Sequence, residues 1–478
     1  MEPEPILRSD LLATLTPQWP DSALRTRIRE ATIASGRRVV VLDDDPTGTQ
    51  TVHDLPVVTE WSPDVLAAAW DESATTFYVL TNSRRYPLDR AAAINREVAR
   101  SLTAVARAHG AEPIVVSRSD STLRGHYPGE VSALQQTLEA EMGVSYDGVV
   151  IAPFFLEGGR LTVNDVHWVA EGERLTPAAQ TEFSRDPTFG YTHSHLPQWI
   201  EEKTAGQVRS GDTLSISLEA VRDGGPARVA EMLSGVSDGQ VVVANATAYR
   251  DLEVFVWGLM QADSLGKRFL FRTAASFVKV RGGVPDRGPL GHEGLFVTAP
   301  DQATGGLTLA GSYVQRTSLQ LDEALTLDRM LGLELNARAV LEQRTRSEHI
   351  SSVVSRTTAG LQQGQDVLVY TSRALIVPAG MSQLQASQQV SAALVEVLRR
   401  LPVRPAYLAA KGGITSSDLA TDALSVRRAR VLGQIIPGVP VWRLGPESKY
   451  PDLPYVVFPG NVGGPAALAS TIRILRGE

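Results

Sequence analysis

Cysteine is absent from all 478 residues. That excludes disulfides, thiolate metal sites and a cysteine nucleophile, and it fits a reducing compartment without requiring one. No stretch approaches the roughly 20 apolar residues needed to span a bilayer. Glu2 and Glu4 precede any apolar run, which is not the pattern of a secretory signal. The expected location is cytoplasmic, with no membrane partner. An excess of positive charge is missing too: 46 Lys and Arg against 53 Asp and Glu leave a net charge of −7. This argues against nucleic acid as the main partner. There is no P-loop, because Gly266-Lys267 runs on into Arg268 without the upstream glycine, and no Gly-x-Gly-x-x-Gly turn. Histidine clusters with metal-ligand spacing are lacking as well, since His193 and His195 have no obvious third partner.

What is present is an ordinary globular composition, 43% apolar and 21% charged, in a chain long enough for about two to three domains. Short β-branched runs at 37–42, 75–80, 113–117 and 148–154 alternate with helical spacing at 89–110, which ends on Gly110, and at 129–143. The alternation continues through strands at 212–218, 240–247 and 268–274. Residues 280–294 combine glycine, proline and charge without apolar periodicity and read as a linker. A second alternation follows: strands at 307–313, 366–372, 405–413, 440–444 and 455–464, a long helix across 334–362, another near 383–401, and a terminal helix. The predicted fold is α/β: two α/β domains with mostly parallel sheets and an active-site cleft between them. The expected divisions are an N-terminal extension over 1–36, a substrate domain over 37–283 and a nucleotide domain over 290–478.

Several strand ends carry chemistry. The run "VVVLDDDPTGTQT" delivers Asp43, Asp44 and Asp45 to the carboxyl end of a buried strand, where α/β sheets place ligands. Three adjacent acids repel one another, a cost best tolerated where a cation or substrate hydroxyls meet them; a solvated acidic turn is the alternative. "SRSDSTLRGHYPGE" supplies Arg118, Asp120, Ser121, Thr122 and Arg124, and its arginines suit an acidic substrate. A polar loop with ordinary caps would read the same way. In "APFFLEGGRLTVNDVHW", Gly158 and Gly159 present Arg160 and Thr162, while His167 is either a base or a packed histidine beside Trp168. In the second half "AAKGGITSSDLA" and "FPGNVGGPAAL" each run strand, glycine turn, helix, and Gly311-Ser312 sits at a third strand end. Bare amides and glycine let phosphate approach the backbone, so together these turns point to a nucleotide.

These segments resemble the four-carbon acid sugar kinase family. Its Asp-Asp-x-Thr-Gly motif matches Asp44-Asp45-Pro46-Thr47-Gly48, and Asp-Ser-Thr-Leu-Arg-Gly matches Asp120 to Gly125 in full. "TNSR" (81–84), "GGRLT" (158–162), "TEFSRDP" (181–187), "FRTAASF" (271–277), "GSYVQRTSLQL" (311–321), "GGITS" (412–416) and "PGNVGG" (459–464) extend the resemblance from about Arg37 to Leu468. One departure is plain: the family's Lys-Ser-Gly-Asn-Phe-Gly turn is here Phe458-Pro459-Gly460-Asn461-Val462-Gly463.

The resemblance implies transfer of the γ-phosphoryl group of ATP to a terminal hydroxyl of threonate, erythronate, 3-oxo-tetronate or a related short sugar acid, with Mg2+ carried by the nucleotide. It places Asp45, with Asp44, against the accepting hydroxyl as base or orienter. Arg84, Arg118, Arg124 and Arg160, with Asp120, Ser121 and Thr122, would hold the acid or the moving phosphoryl group. Ser312, Gly412, Gly413, Ile414, Thr415, Gly460 and Asn461 would line the ATP site. Assembly into a homo-oligomer is left open. Two other functions fit part of the pattern. Asp43-x-Asp45-x-Thr47 also satisfies the nucleophile motif of haloacid-dehalogenase-type phosphatases acting on a small sugar phosphate, with "FYVLTN" (77–82) imitating their second motif. A non-catalytic sugar-acid sensor of the same shape is the other.

Overall fold

The computed structural model describes residues 2–297, 304–311, 315–374, 376–460 and 462–478. The chain falls into two compact units, Met1–Thr51 with Glu60–Asp286, and Val52–Thr59 with Arg287–Glu478. The division therefore differs from consecutive segments: residues 1–36 fold with the first unit, and a short early piece belongs to the second.

In the first unit a wholly parallel sheet has the order Leu214–Ile216, Gln240–Ala244, Gly148–Ala152, Phe269–Thr273, Ile114–Arg118, Val39–Asp43, Thr76–Leu80. Its central strands are continuous β-branched and apolar runs because helices cover both faces and every residue of Val39–Asp43, Ile114–Arg118 and Gly148–Ala152 is buried. Register aligns Asp43 with Leu80 on one side and Arg118 on the other, and Arg118 with Thr273. The polar strand ends thus share one edge. The helix Leu88–His109 buries Ala91, Ile94, Val98, Leu102 and Val105 along one stripe and stops at Gly110, whose φ of 60° suits glycine.

Beside this sheet is a four-stranded antiparallel one, ordered Ile6–Leu7, Arg174–Pro177, Val166–Glu171, Arg160–Val163. In the "GGRLT" segment Gly158 and Gly159 lie in a turn, and the strand begins at Arg160. Residues near the N-terminus supply the outer strand of this sheet, and Glu2 accepts a hydrogen bond from the Ser194 amide at 2.8 Å.

The second unit has the order Leu55–Val58, Arg428–Ile436, Val439–Leu444, Pro454–Phe458, Leu408–Lys411, Leu307–Ala310, Asp366–Thr371, Met330–Leu335. The first four strands pair antiparallel and the rest parallel. The single long helix expected over 334–362 is a correction. Its start is the end of the strand Met330–Leu335, and two helices follow, Ala337–Leu341 and Gln343–Gln362. The Asn336 side chain caps the first by accepting from the Ala339 amide, and extended backbone at Glu342 (φ −92°, ψ 117°) separates the two. Among the described residues no helix is long and apolar enough to cross a membrane.

Candidate active site

At the shared strand edge of the first unit the chain leaves Val39–Asp43 and turns through Pro46–Thr49. The three aspartates diverge there. Asp43 accepts from Arg118 at 3.0 Å and packs against Gly48, where any Cβ would overlap its carboxylate. Burial raises its pKa to about 7 despite Arg118, with Asp44 and Asp45 adding to the rise. Asp45 caps the following turn, accepting from the Thr47 amide at 2.8 Å and hydroxyl at 2.6 Å, and pairs with Arg84. Burial works against its charge, but Arg84, Thr47 and Arg118 outweigh it and hold the pKa below the usual value.

Asp44 is unlike both. It is 4% exposed, and neither carboxylate oxygen has a hydrogen-bond partner among the described residues. Arg84 and Arg118 stand off at 3.9 and 3.8 Å, beyond hydrogen-bond reach. Burial raises its pKa to about 6, against the pull of those two arginines. Gly125 lies alongside with φ of 115°, and a Cβ there would sit 3.3 Å from an Asp44 oxygen.

The second motif closes on itself. Asp120 accepts from Thr122 and from Arg124 Nε at 2.9 Å, and pairs with Arg84 at 3.1 Å. Burial opposes its ionisation, yet Arg124 and Arg84 hold it well below the ordinary carboxylate range. Arg84, Arg118, Asp120, Thr122 and Arg124 thus form one network with the aspartates. Arg124 and Arg160 join through Phe183, whose ring centroid lies 5.1 and 5.6 Å from their guanidinium carbons. Ser121 is held differently: its carbonyl accepts from His167 Nε2 at 2.8 Å, and His167 Nδ1 lies 3.0 Å from the Thr162 hydroxyl. A carbonyl can only accept, so Nε2 carries a proton. Burial lowers its pKa to about 4. Of the two readings for His167, the packed one fits. His167→Phe should leave the Ser121 carbonyl unpaired, a loss of about 1–3 kcal/mol. A lower melting temperature and weaker acid binding, with ATP binding unchanged, are the expected readouts.

Sequence reasoning left out three participants. Arg272, from "FRTAASF", is 1% exposed, donates to the Arg124 carbonyl at 3.0 Å and lies 4.9 Å from the Trp199 ring. Asp186 pairs with Arg124 at 3.7 Å, and buried Glu130 accepts from Asn95 at 3.0 Å. Each sits in or beside a quoted motif, but nothing in the local pattern says which side chain turns inward.

In the second unit the strand ends Ala310, Lys411 and Phe458 lie side by side. The Gly412 amide donates to the Phe458 carbonyl at 2.8 Å, and Ser416 Oγ donates back to the Gly412 carbonyl at 2.7 Å. A Cβ on Gly311 would meet Thr415 Oγ1 at 2.5 Å, so these turns need glycine for close approach. Gln320 donates to the carbonyls of Val462 and Gly464 at 3.0 Å each, fixing the loop after Gly460. Gly412, Gly413, Thr415 and Gly460 are brought together, and Ile414 projects outward, 55% exposed. Ser312 and Asn461 lie outside the described residues.

Comparison with known proteins fits this division. The profile of a sugar-binding N-terminal domain matches residues 39–281, and that of a nucleotide-binding C-terminal domain matches 307–468. A D-threonate kinase of Salmonella typhimurium is 25% identical over 91% of this chain and 97% of its own length. A 3-oxo-tetronate kinase of Cupriavidus necator is 27% identical over 87% of this chain and 90% of its own. A solved structure of a Haemophilus influenzae protein shares the fold, with a TM-score of 0.59 at 18% identity, covering 92% of this chain and 99% of that one. Fold and matches define a kinase with an alcohol acceptor, built from a sugar-binding and a nucleotide-binding part. The chain belongs to the four-carbon acid sugar kinase family.

Proposed function

We propose that this chain transfers the γ-phosphoryl group of ATP to a terminal hydroxyl of a four-carbon sugar acid, with Asp44 facing that hydroxyl. One observation carries the assignment: Asp44 is a buried carboxylate whose two oxygens find no hydrogen bond among the described residues, while Asp43 and Asp45 are already engaged. A substrate hydroxyl would satisfy Asp44 directly. As the acceptor oxygen bonds to phosphorus its proton passes to Asp44, and the bond from phosphorus to the bridging oxygen breaks, with its electrons leaving on ADP. Arg84 and Arg118 flank the place where charge shifts. Positioning and charge neutralisation supply most of the catalysis in such a step. Arg124 and Arg160 are assigned to the acid's carboxylate.

ATP is assigned to the glycine turns of the second unit. No group of three His, Asp or Glu side chains among the described residues could cage a metal. Mg2+ is therefore assigned to the phosphates of the nucleotide, and no step is drawn through it. The phosphatase alternative loses support, since its nucleophile would be Asp43, which is paired with Arg118 and covered by Gly48. The assigned location is the cytoplasm.

The test is ADP formation on a panel of four-carbon acids that includes D-threonate and 3-oxo-tetronate, followed against pH. A base must be deprotonated to act. With Asp44 raised to about 6, kcat/KM should rise between pH 5 and 7 and then level, where an ordinary aspartate would already have levelled by about pH 5. Turnover flat from pH 5 upward would remove Asp44 from the base role, and phosphate release without ATP would establish a phosphatase.

A further inference from the structure

The strand Leu408–Lys411 ends on a lysine that none of the assignments above uses. Lys411 is 0% exposed and pairs in register with Ala310 on one side and Phe458 on the other. Its Nζ donates to the Pro459 carbonyl at 2.5 Å and the Gly460 carbonyl at 3.3 Å, and lies 4.3 Å from the centre of the Phe458 ring. No carboxylate is among its partners in the described residues, and the charged group acting on it is Arg316, of the same sign. An ammonium taken out of water without a counter-charge costs several kcal/mol. Carbonyl oxygens and a ring face offset only part of that. Burial, with Arg316 adding to it, lowers its pKa to about 7. A purely structural clamp would not need a group that charges at such expense, because a neutral donor could hold the same carbonyls. The missing element is an anion, and the adjoining glycine turns are where the nucleotide is assigned.

We propose that Lys411 is a positioning residue for the nucleotide, holding the Pro459–Gly460 turn in receptive shape and providing positive charge that the polyphosphate completes. This rests on ATP being seated at the glycine turns. It also accounts for the departure in the last motif. The family's lysine would fall at Phe458, and in this chain an ammonium reaches the same turn from the neighbouring strand, directly across the ladder.

The experiment uses the full chain, wild type and Lys411→Met, with calorimetric titration of MgATP at pH 8 in two buffers of different ionisation enthalpy. Methionine fills similar volume without charge. The variant should bind ATP at least tenfold more weakly, bind the sugar acid as before, and melt no lower than wild type, because the cost of burying an ionisable amine without a counter-charge has been removed. At pH 8 the wild-type lysine is mostly neutral, so ATP binding should draw in a fraction of a proton, seen as a buffer-dependent heat that Lys411→Met lacks. A merely structural lysine would lower the melting temperature and move neither the proton uptake nor the ratio of the two affinities. Equal ATP affinity in both proteins, with turnover intact, overturns the role of Lys411 and leaves the kinase reading standing. Absence of proton uptake in wild type overturns it even if the variant does not fold. Failure of wild type to bind ATP overturns both.

Discussion

Asp44→Asn is expected to lower kcat by about 10²–10⁴-fold, roughly 3–5 kcal/mol of barrier, while ATP and the sugar acid still bind. The substitution keeps shape and hydrogen-bonding capacity but removes the oxygen that takes the proton. Its effect on stability should run the other way. Asp44 has a folded pKa raised to about 6 from 3.8, so its contribution to stability is complete below 3.8 and is lost as pH rises through 6. At pH 8 the ionised group costs on the order of 3 kcal/mol, and asparagine removes that charge. The variant should therefore melt at or above the wild-type temperature at pH 8 while turning over slowly. Asp45→Asn makes the contrast. Asp45 is held below its usual pKa by Arg84, Thr47 and Arg118 against the effect of burial. It contributes stability above 3.8, and asparagine should lose part of it by leaving Arg84 short of a counter-charge. A large kcat loss in Asp45→Asn with a mild one in Asp44→Asn would exchange the two roles. Loss of less than tenfold in both would make the whole acidic turn structural.

Gly412→Val is expected to weaken ATP binding by about tenfold to a hundredfold, or 1.4–2.8 kcal/mol, with binding of the sugar acid unchanged. Gly412 has φ of 115° and ψ of 139°, a conformation closed to a β-branched residue. Nor can the backbone rotate away at little cost. Its amide is tied to the Phe458 carbonyl at 2.8 Å, and its carbonyl accepts from the Ser416 amide at 2.8 Å. Strain of this kind amounts to about 1–3 kcal/mol, and relieving it must move the amides assigned to phosphate. Calorimetry with each ligand separately checks the division of labour. Intact ATP affinity in a folded Gly412→Val protein would remove the nucleotide from this turn.

The buried parallel strands were readable because each is a bounded apolar run, and the helix Leu88–His109 was readable because its apolar stripe ends on a glycine. The strand Leu55–Val58 and the strand Arg428–Ile436 were not. Leu55–Val58 pairs with a strand far off in sequence, and in Arg428–Ile436 residues such as Arg428, Arg430 and Gln434 interrupt the apolar pattern. The helix break at Glu342 was hidden for another reason: the apolar spacing carries across it, and only the dihedrals mark it. Within the acid centre the sequence placed Asp43, Asp44 and Asp45 at a strand end but could not rank them. Rank depends on Thr47, two residues on from Asp45, and on Arg84, Arg118 and Gly125, which approach from later segments of the chain. Lys411 is not marked by its local pattern, because a lysine beside glycine turns looks like any solvated charge until its burial is known.

The early piece Val52–Thr59 that belongs to the second unit has a consequence for synthesis. Leu55–Val58 leaves the ribosome well before its partner Arg428–Val431, and at about 5–20 residues per second the wait is on the order of tens of seconds. Throughout that interval a buried-type apolar strand lacks the partner it has within the second unit. Neither half of the gene cut at Asp286 would encode an intact second unit: one fragment keeps the strand and the other keeps its partner Arg428–Val431. Mixing such fragments should restore activity by strand complementation, and a nascent chain stalled near position 300 should recruit holdase chaperones through residues 52–59.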